Sequence, residues 1–351
     1  MMLVSPLIAA LAMLLTSTCL FYALGQAPLH AFYVYFIEPA STAYGLGELL
    51  LKATPLTLCG VGLAIGFRAN VFNIGADGQL TMGAIAAACV ALYFQNVESY
   101  WVLALMLLAG MAAGMLWAAI PALLRTRFHT SEILVSLMLV YVAYLLLSYL
   151  VHGPLRDPNG FNFPQSRMFG EHAMLPLLVE GLRTNLAFLL ALVAVAGAWF
   201  FCSRTFAGYR MKVSGMASAA ASYAGFSESG TIWLALMISG ALAGLAGVGE
   251  VAGPIGQLQA SVSPGYGFAA IIVAYVGRLQ PLGVLLAALL MSLLYIGGEP
   301  AQIELQLPAA MTDLFQGLLL FYLLAADFFI HYRFKPTFKA TFKPDAAGSP
   351  V

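Results

Sequence analysis

The chain has 351 residues, 62% of them hydrophobic and only 9% charged, with a formal net charge of zero. A soluble domain carries roughly 25% charged residues, so the composition excludes a water-soluble core and points to a polytopic, all-α membrane protein. The balanced charge offers no footprint for nucleic acid.

About ten transmembrane helices are expected, because a span needs about 20 apolar residues. In chain order they fall near 4–25, 45–67, 74–94, 101–124, 132–151, 185–203, 230–250, 266–277, 281–297 and 308–331. The first lacks a basic leader and a small-residue cleavage site, so it reads as a span and not as a signal peptide. Pro264, Gly265 and Gly267 break the start of the eighth, which is short. Gly62-x-x-x-Gly66, Gly110-x-x-x-Gly114 and Gly240-x-x-x-Gly244 permit close helix packing. Glu48 and Lys52, four apart, are expected to neutralise one another.

Ten spans sort the cations onto two sides. Arg68, Arg125, Arg127, Arg204, Arg210, Lys212, Arg278, Arg333, Lys335, Lys339 and Lys343 share one side, against Arg156, Arg167 and Arg183 on the other. The positive-inside rule then puts both termini in the cytoplasm of a multi-pass inner (plasma) membrane protein. The expected division is a transmembrane domain over 1–335 and a cytoplasmic tail over 336–351.

Two connections are long. The outer one, 151–184, is rich in Pro, Gly and Asn and reads either as an ordered cap or docking surface or as a solvated connector. The inner one, 204–229, carries an alanine-rich run from Gly215 to Gly225, expected to form a short helix with a glycine stop. Such a helix either docks in a partner's groove or is incidental.

The polar run Asn73-Ile74-Gly75-Ala76-Asp77-Gly78-Gln79 interrupts hydrocarbon. It reads as a solvated turn between spans or as a helix broken at Gly75 and Gly78. An ionisable group within a membrane faces a cavity or a partner. Asp77 either caps its own helix or lines a pathway with Asn73 and Gln79. Ser263-Pro264-Gly265-Tyr266-Gly267-Phe268 opens a second interrupted helix of opposite direction, so the two halves show a weak inverted repeat. That arrangement marks a transport pathway. Tyr266 and Phe268 would offer rings to a solute, and Asp313 with Gln316 would line an outer vestibule.

No phosphate-binding loop, nucleophile elbow or carboxylate cluster is present in the sequence. Cys19, Cys59, Cys89 and Cys202 and the scattered histidines have no metal or redox spacing. Three classes remain: an importer subunit driven by a separate ATPase, an ion-coupled transporter using Asp77 or Asp313, and an intramembrane enzyme.

Taken together, these motifs resemble permease subunits of ABC importers of the sugar/branched-chain amino-acid superfamily. The resemblance is to its nucleoside, basic-membrane-lipoprotein-linked branch. Phe72 to Leu80 with Met82-Gly83-Ala84, Pro264 to Phe268, and Glu132-Ile133 with Leu137-Met138-Leu139 and Tyr141 carry it. Val140 and the segment Ala217 to Ser222 depart from that branch's pattern. The resemblance implies a subunit without an ATPase site of its own and without a cofactor, ATP being bound by a cytoplasmic ABC ATPase. It also implies a second permease, a paralogue, and an extracytoplasmic solute-binding protein. The solute would be a small polar molecule, a nucleoside or alternatively a simple sugar. The inner loop 204–229 would couple to the ATPase through Arg210, Gly215, Ala220, Ala221, Tyr223 and Gly225.

Overall fold

The computed structural model describes residues 4–179 and 181–331. The expected tail, 336–351, and Arg333, Lys335 and Glu180 lie outside the described residues. The described residues form helices joined by turns and irregular connections. It begins with α1 (Val4–Ala23), α2 (Pro28–Phe32), a π-turn (Tyr33–Ile37) and a 3-10 turn (Glu38–Ala40). Then come α3 (Ala43–Arg68), α4 (Ala76–Tyr93), α5 (Trp101–Phe128), α6 (Glu132–His152) and α7 (Leu186–Arg204). α8 (Phe206–Met216), α9 (Ser218–Tyr223), α10 (Glu228–Glu250) with a π-turn (Val251–Ile255), α11 (Tyr266–Val276), α12 (Pro281–Glu304) and α13 (Ala310–His331) complete it. Pairing of the β type among the described residues is confined to two isolated bridges, Gln165 with Gln259 and Leu177 with Asn185.

Among the described residues, seven helices are long and apolar enough to cross a membrane: α3, α4, α5, α6, α7, α12, and α10 together with its π-turn. The apolar helices α1, α11 and α13 occupy the other three expected segments. With 11 residues, α11 is about 16 Å long, half of a hydrocarbon core about 30 Å thick.

Glycine-mediated contact sets the packing. Gly110 and Gly114 of α5 face Gly240 and Gly244 of α10, each Cα lying where a neighbour's side chain would meet backbone. Gly83 of α4 meets Gly244, and Gly247 of α10 meets the Leu80 carbonyl. In hydrocarbon, where lipid is as apolar as leucine, this close backbone approach is the main source of helix affinity. The two spaced-glycine motifs are therefore halves of one interface.

Three expectations are corrected. α12 does not end at 297: it continues to Glu304 because Gly297 and Gly298 allow the π-turn at Tyr33–Ile37 and Thr312 to approach its side. Glu48 does not pair with Lys52 but with Arg183, at 3.2 Å. The inner connection holds two helices, since Ala217 leaves helical geometry between α8 and α9. Gly215 ends up inside α8, packed on the Arg68 carbonyl. Gly225, at φ +79°, closes the turn after α9 as a glycine stop should.

The bundle has two chemically distinct ends. Arg68, Arg125 and the α8–α9 connection meet at the basic end, where Ala221 is buried and shares a cavity lining with Ala69, Val71 and Arg125. At the far end, residues 153–185 fold back over the chain after α10. Ser166 N–H donates to the Leu258 carbonyl (2.7 Å), Phe169 N–H to Gly256 (2.9 Å) and Leu175 N–H to Ala252 (2.7 Å). The Pro- and Gly-rich connection is thus an ordered cap.

Gly244→Leu drives a side chain into the Gly110 carbonyl and is expected to destabilise the bundle by about 1–3 kcal/mol. Thermal unfolding in detergent, compared with a lipid-facing control such as Leu145→Ala, checks this.

Candidate functional site

The stretch 71–75 between α3 and α4 is not helical, yet most of its residues are buried. Backbone N–H groups at such depth require partners, and α6 supplies two of them. Phe72 N–H donates to Glu132 Oε1 (3.3 Å) and Ile74 N–H to Ser136 Oγ (3.2 Å). Glu132 is also paired with Arg125. Gly75 N–H turns back to Asn73 Oδ1 (3.0 Å).

Asn73 and Gln79 exchange two hydrogen bonds, Nδ2 to Oε1 (2.8 Å) and Nε2 to Oδ1 (3.1 Å). Asn73 Nδ2 also donates to Ser239 Oγ of α10 (2.9 Å). Both amides are buried and Asn73 is engaged at both N–H groups and twice at its oxygen, so the pair holds the entry to α4 in place.

The second interrupted helix arrives at the same point. Gly265 adopts φ +94° immediately before α11, a conformation a β-branched residue resists. Ser263 Oγ accepts from the N–H groups of Gly265 (3.1 Å) and Tyr266 (3.0 Å) and donates to Asp77 Oδ1 (2.8 Å). Gly267 N–H donates to the same oxygen at 2.6 Å, and the Tyr144 hydroxyl of α6 donates to Oδ2. Asp77 is 0% exposed.

Asp77 therefore caps the start of α11 and not its own helix. α4 has Gly75 at its N-cap and no side-chain cap. The N-termini of α4 and α11 meet head to head, so close that a side chain on Gly267 would overlap the Asp77 backbone. Gly78 lies against α6, where an added Cβ would stand 2.9 Å from Val140 Cα. Each helix start carries unpaired N–H groups and about half a positive charge, and the carboxylate sits between them.

A polar cavity of about 340 Å³ adjoins the junction at the far end. Lys52 of α3, Arg183 of the cap, Glu250 of α10, Gln257, Gln259 and Tyr266 line it. The Tyr266 ring is buried edge-on against Tyr295, centroids 5.8 Å apart.

The remaining expected residues are dispersed. Phe268 is half-buried on α11, and Pro264 is exposed beside Gly265. Asp313 is exposed on the first turn of α13, outside the junction, and Gln316 is buried. Of the coupling residues, Ala220 and Tyr223 are exposed, Tyr223 at 97%, and Arg210 is half-buried. Ala221 faces inward, so it is not part of an exposed docking face.

Sequence reasoning did not single out Tyr144, Ser263, Ser136, Ser239 or Glu250. Glu250 had a signal, an ionisable group at the end of an apolar span, and Ser263 preceded a helix start by the spacing of a capping hydroxyl. Tyr144, one tyrosine among many on an apolar helix, had none.

Helices broken at depth around a buried carboxylate, beside a polar cavity, define a membrane permease. The branched-chain amino acid transport system / permease component family matches residues 45–324, and the chain belongs to it. It is 36% identical to the glucose ABC transporter permease of Haloferax volcanii, over 94% of this chain and 89% of that protein. It is 34% identical to the guanosine ABC transporter permease of Bacillus subtilis, over 77% and 78%. With the nucleoside ABC transporter permease of Lactococcus lactis subsp. cremoris it shares 28% identity over 91% and 89%. No solved structure matches the chain. The protein is an ABC transporter permease.

Asp77→Ala strands three buried donors, each loss being of the order of 1–3 kcal/mol. Asp77→Asn retains one acceptor oxygen and lets the Tyr144 hydroxyl turn to accept. The expected order of melting temperature in detergent is wild type, then Asn, then Ala. An Asn variant as damaged as Ala would assign the stability to the charge and not to the hydrogen bonds.

Proposed function

We propose that the chain is one permease subunit of an importer that brings nucleosides into the cytoplasm. The carrying observation is the pair of short helices that meet N-terminus to N-terminus around Asp77 beside a polar cavity. Broken helices whose free ends converge are the means by which permeases build a pathway. The relatives named for guanosine and nucleosides supply the solute. A simple sugar is the second reading, favoured by the glucose permease matched over nearly the whole chain. Ribose and glucose share adjacent ring hydroxyls, so both readings ask for the same recognition chemistry.

In this reading residues 1–335 form a transmembrane domain of ten spans in two inverted halves, and 336–351 a tail. The basic end is cytoplasmic by the positive-inside rule, which puts both termini inside the plasma membrane and the cap outside, facing a solute-binding protein. The chain has no ATPase site; a cytoplasmic ABC ATPase binds ATP and engages α8 and α9. Ala220 and Tyr223 form the contact, Gly225 ends it, and Gly215, Arg210 and Ala221 seat the pair on the bundle. A second permease, a paralogue, completes the pathway, and lipid covers the remaining apolar faces of α5, α6 and α7.

Within the pathway Tyr266 and Phe268 face the solute. Asn73, Asp77 and Gln79, with the breaks at Gly75, Gly78, Pro264, Gly265 and Gly267, fix and hinge the half-helices; Asp313 lies toward the outer mouth.

Copurification with a P-loop ATPase and ATP-dependent uptake of labelled guanosine by the reconstituted complex test the function. Ala220→Glu puts an unpaired charge into the proposed contact. It is expected to lower uptake and solute-stimulated ATP hydrolysis at least about tenfold, on the scale of a disrupted interface anchor, with expression unchanged. Undiminished uptake in Ala220→Glu would remove α9 from the coupling surface.

A further inference from the structure

Glu250 is 7% exposed, yet its carboxylate makes no hydrogen bond or ion pair among the described residues. Its oxygens open into the cavity at the far end, across which Lys52 is likewise without a bonded partner. The other ionic groups there are matched, Glu48 to Arg183 Nη1 at 3.2 Å, with Arg183 Nη2 also donating to the Pro254 carbonyl at 3.4 Å. Gln257 Nε2 donates to Gln165 Oε1 at 3.2 Å. Apart from the Glu48–Arg183 pair the cavity is lined by one carboxyl group, one amine, two side-chain amides and a tyrosine.

A buried carboxylate is strongly disfavoured without donors. Ionised, it accepts at two oxygens and donates nothing. A pair of adjacent hydroxyls complements it, each giving one O–H to one oxygen, while the Lys52 amine and the amide N–H groups serve the hydroxyl oxygens. By formal charge Lys52 and Arg183 cancel Glu48 and Glu250 in the lining, which suits a neutral solute. The volume, about 340 Å³, lies at the lower end of the range of about 300–1,000 Å³ for small-molecule sites.

We propose that this cavity is the sugar-hydroxyl subsite of the pathway, with the Glu250 carboxylate accepting from two adjacent ring hydroxyls of a neutral solute and Lys52 donating to their oxygens. The inference deepens, and rests on, the reading of the chain as a permease for nucleosides or sugars. Glu250 ends α10 where the π-turn Val251–Ile255 begins, and Tyr266 opens α11. A solute held here therefore bridges α10 and α11, the two helices on either side of the second interruption.

The test uses the complete transporter in proteoliposomes, with both permeases, ATPase and solute-binding protein. Uptake of guanosine is measured against 2′,3′-dideoxyguanosine, and of glucose against 2,3-dideoxyglucose. The binding protein is the same in every sample, so a change in these ratios belongs to the permease. Glu250→Gln is expected to cut uptake of the hydroxylated solute about tenfold or more, on the scale of a charged hydrogen bond. The dideoxy analogue should fall much less, so that the ratio collapses, and Glu250→Asp should recover part of it. Should Glu250→Gln fail to assemble with the ATPase, Gln257→Ala and Gln259→Ala on the cavity wall carry the same ratio test. An unchanged ratio in the assembled variants, or an equal loss for both solutes, overturns the subsite while leaving the importer reading intact. Wild-type uptake of leucine but of neither guanosine nor glucose overturns the solute reading and the subsite together.

Discussion

Two helix N-termini pointing at one another repel, and inside a membrane no water screens them. Each brings unpaired N–H groups and a partial positive charge. The contact between α4 and α11 exists because Asp77 places a carboxylate between them, taking the Gly267 N–H and the Ser263 and Tyr144 hydroxyls. Much of the local sequence follows from this one interaction. Gly267 has no side chain because the Asp77 backbone fills that space, and Gly78 has none because α6 must come close enough for Tyr144 to reach. Ser263 is small and hydroxylated because it caps two N–H groups and donates to the carboxylate at once.

The second constraint is the cost of leaving backbone groups unpaired in hydrocarbon. Both irregular entries to the broken helices meet it, by different means. The entry to α4 is held by side chains: Glu132, Ser136 and Asn73 accept from Phe72, Ile74 and Gly75. The chain leading to α11 is held by backbone, through the cap residues Ser166, Phe169 and Leu175. The long Pro- and Gly-rich connection is therefore part of the folded bundle, since without it the carbonyls of Ala252, Gly256 and Leu258 would lose these partners.

How much of this the sequence disclosed follows from the range of each signal. Local signals read well. Apart from the end of α12, hydropathy located the ten expected helices to within a few residues, Gly265 marked its break, and Gly225 its stop. The two interrupted helices were each visible as glycine and proline within an apolar run. Their meeting was not, because it joins residues 190 positions apart and no local property of Asp77 distinguishes capping α4 from capping α11. The same holds for Glu48, whose neighbour four residues along was the natural partner until the cap brought Arg183 to it. The ninth span was expected to end at Gly297, although paired glycines serve equally to admit a neighbour, and here Gly297 and Gly298 admit Tyr35 and Thr312. In the alanine run composition could not orient α9, so Ala220 and Ala221 were equivalent until the bundle buried one of them.

The packing also separates rigid contacts from adjustable ones. α4 lies against α5, α6 and α10, and its contact with α10, like that between α10 and α5, is backbone on backbone through Gly83, Gly114, Gly240, Gly244 and Gly247. Such a surface has no intermediate spacing at which it stays favourable, so these elements move together. α11 instead packs on α3, α12 and α13 and meets α4 at one point, where Gly267 lies on the Asp77 backbone and its N–H donates to the carboxylate. Hydrogen bonds of that kind can be exchanged for bonds to a solute or to water at small net cost, whereas separated glycine faces would have to be refilled. For a protein proposed to open alternately to two sides, the compliant seam lies between α4 and α11 and the stiff one between α5 and α10. The polar cavity adjoins the compliant seam, so occupancy of the cavity and the position of α11 are bound to influence one another.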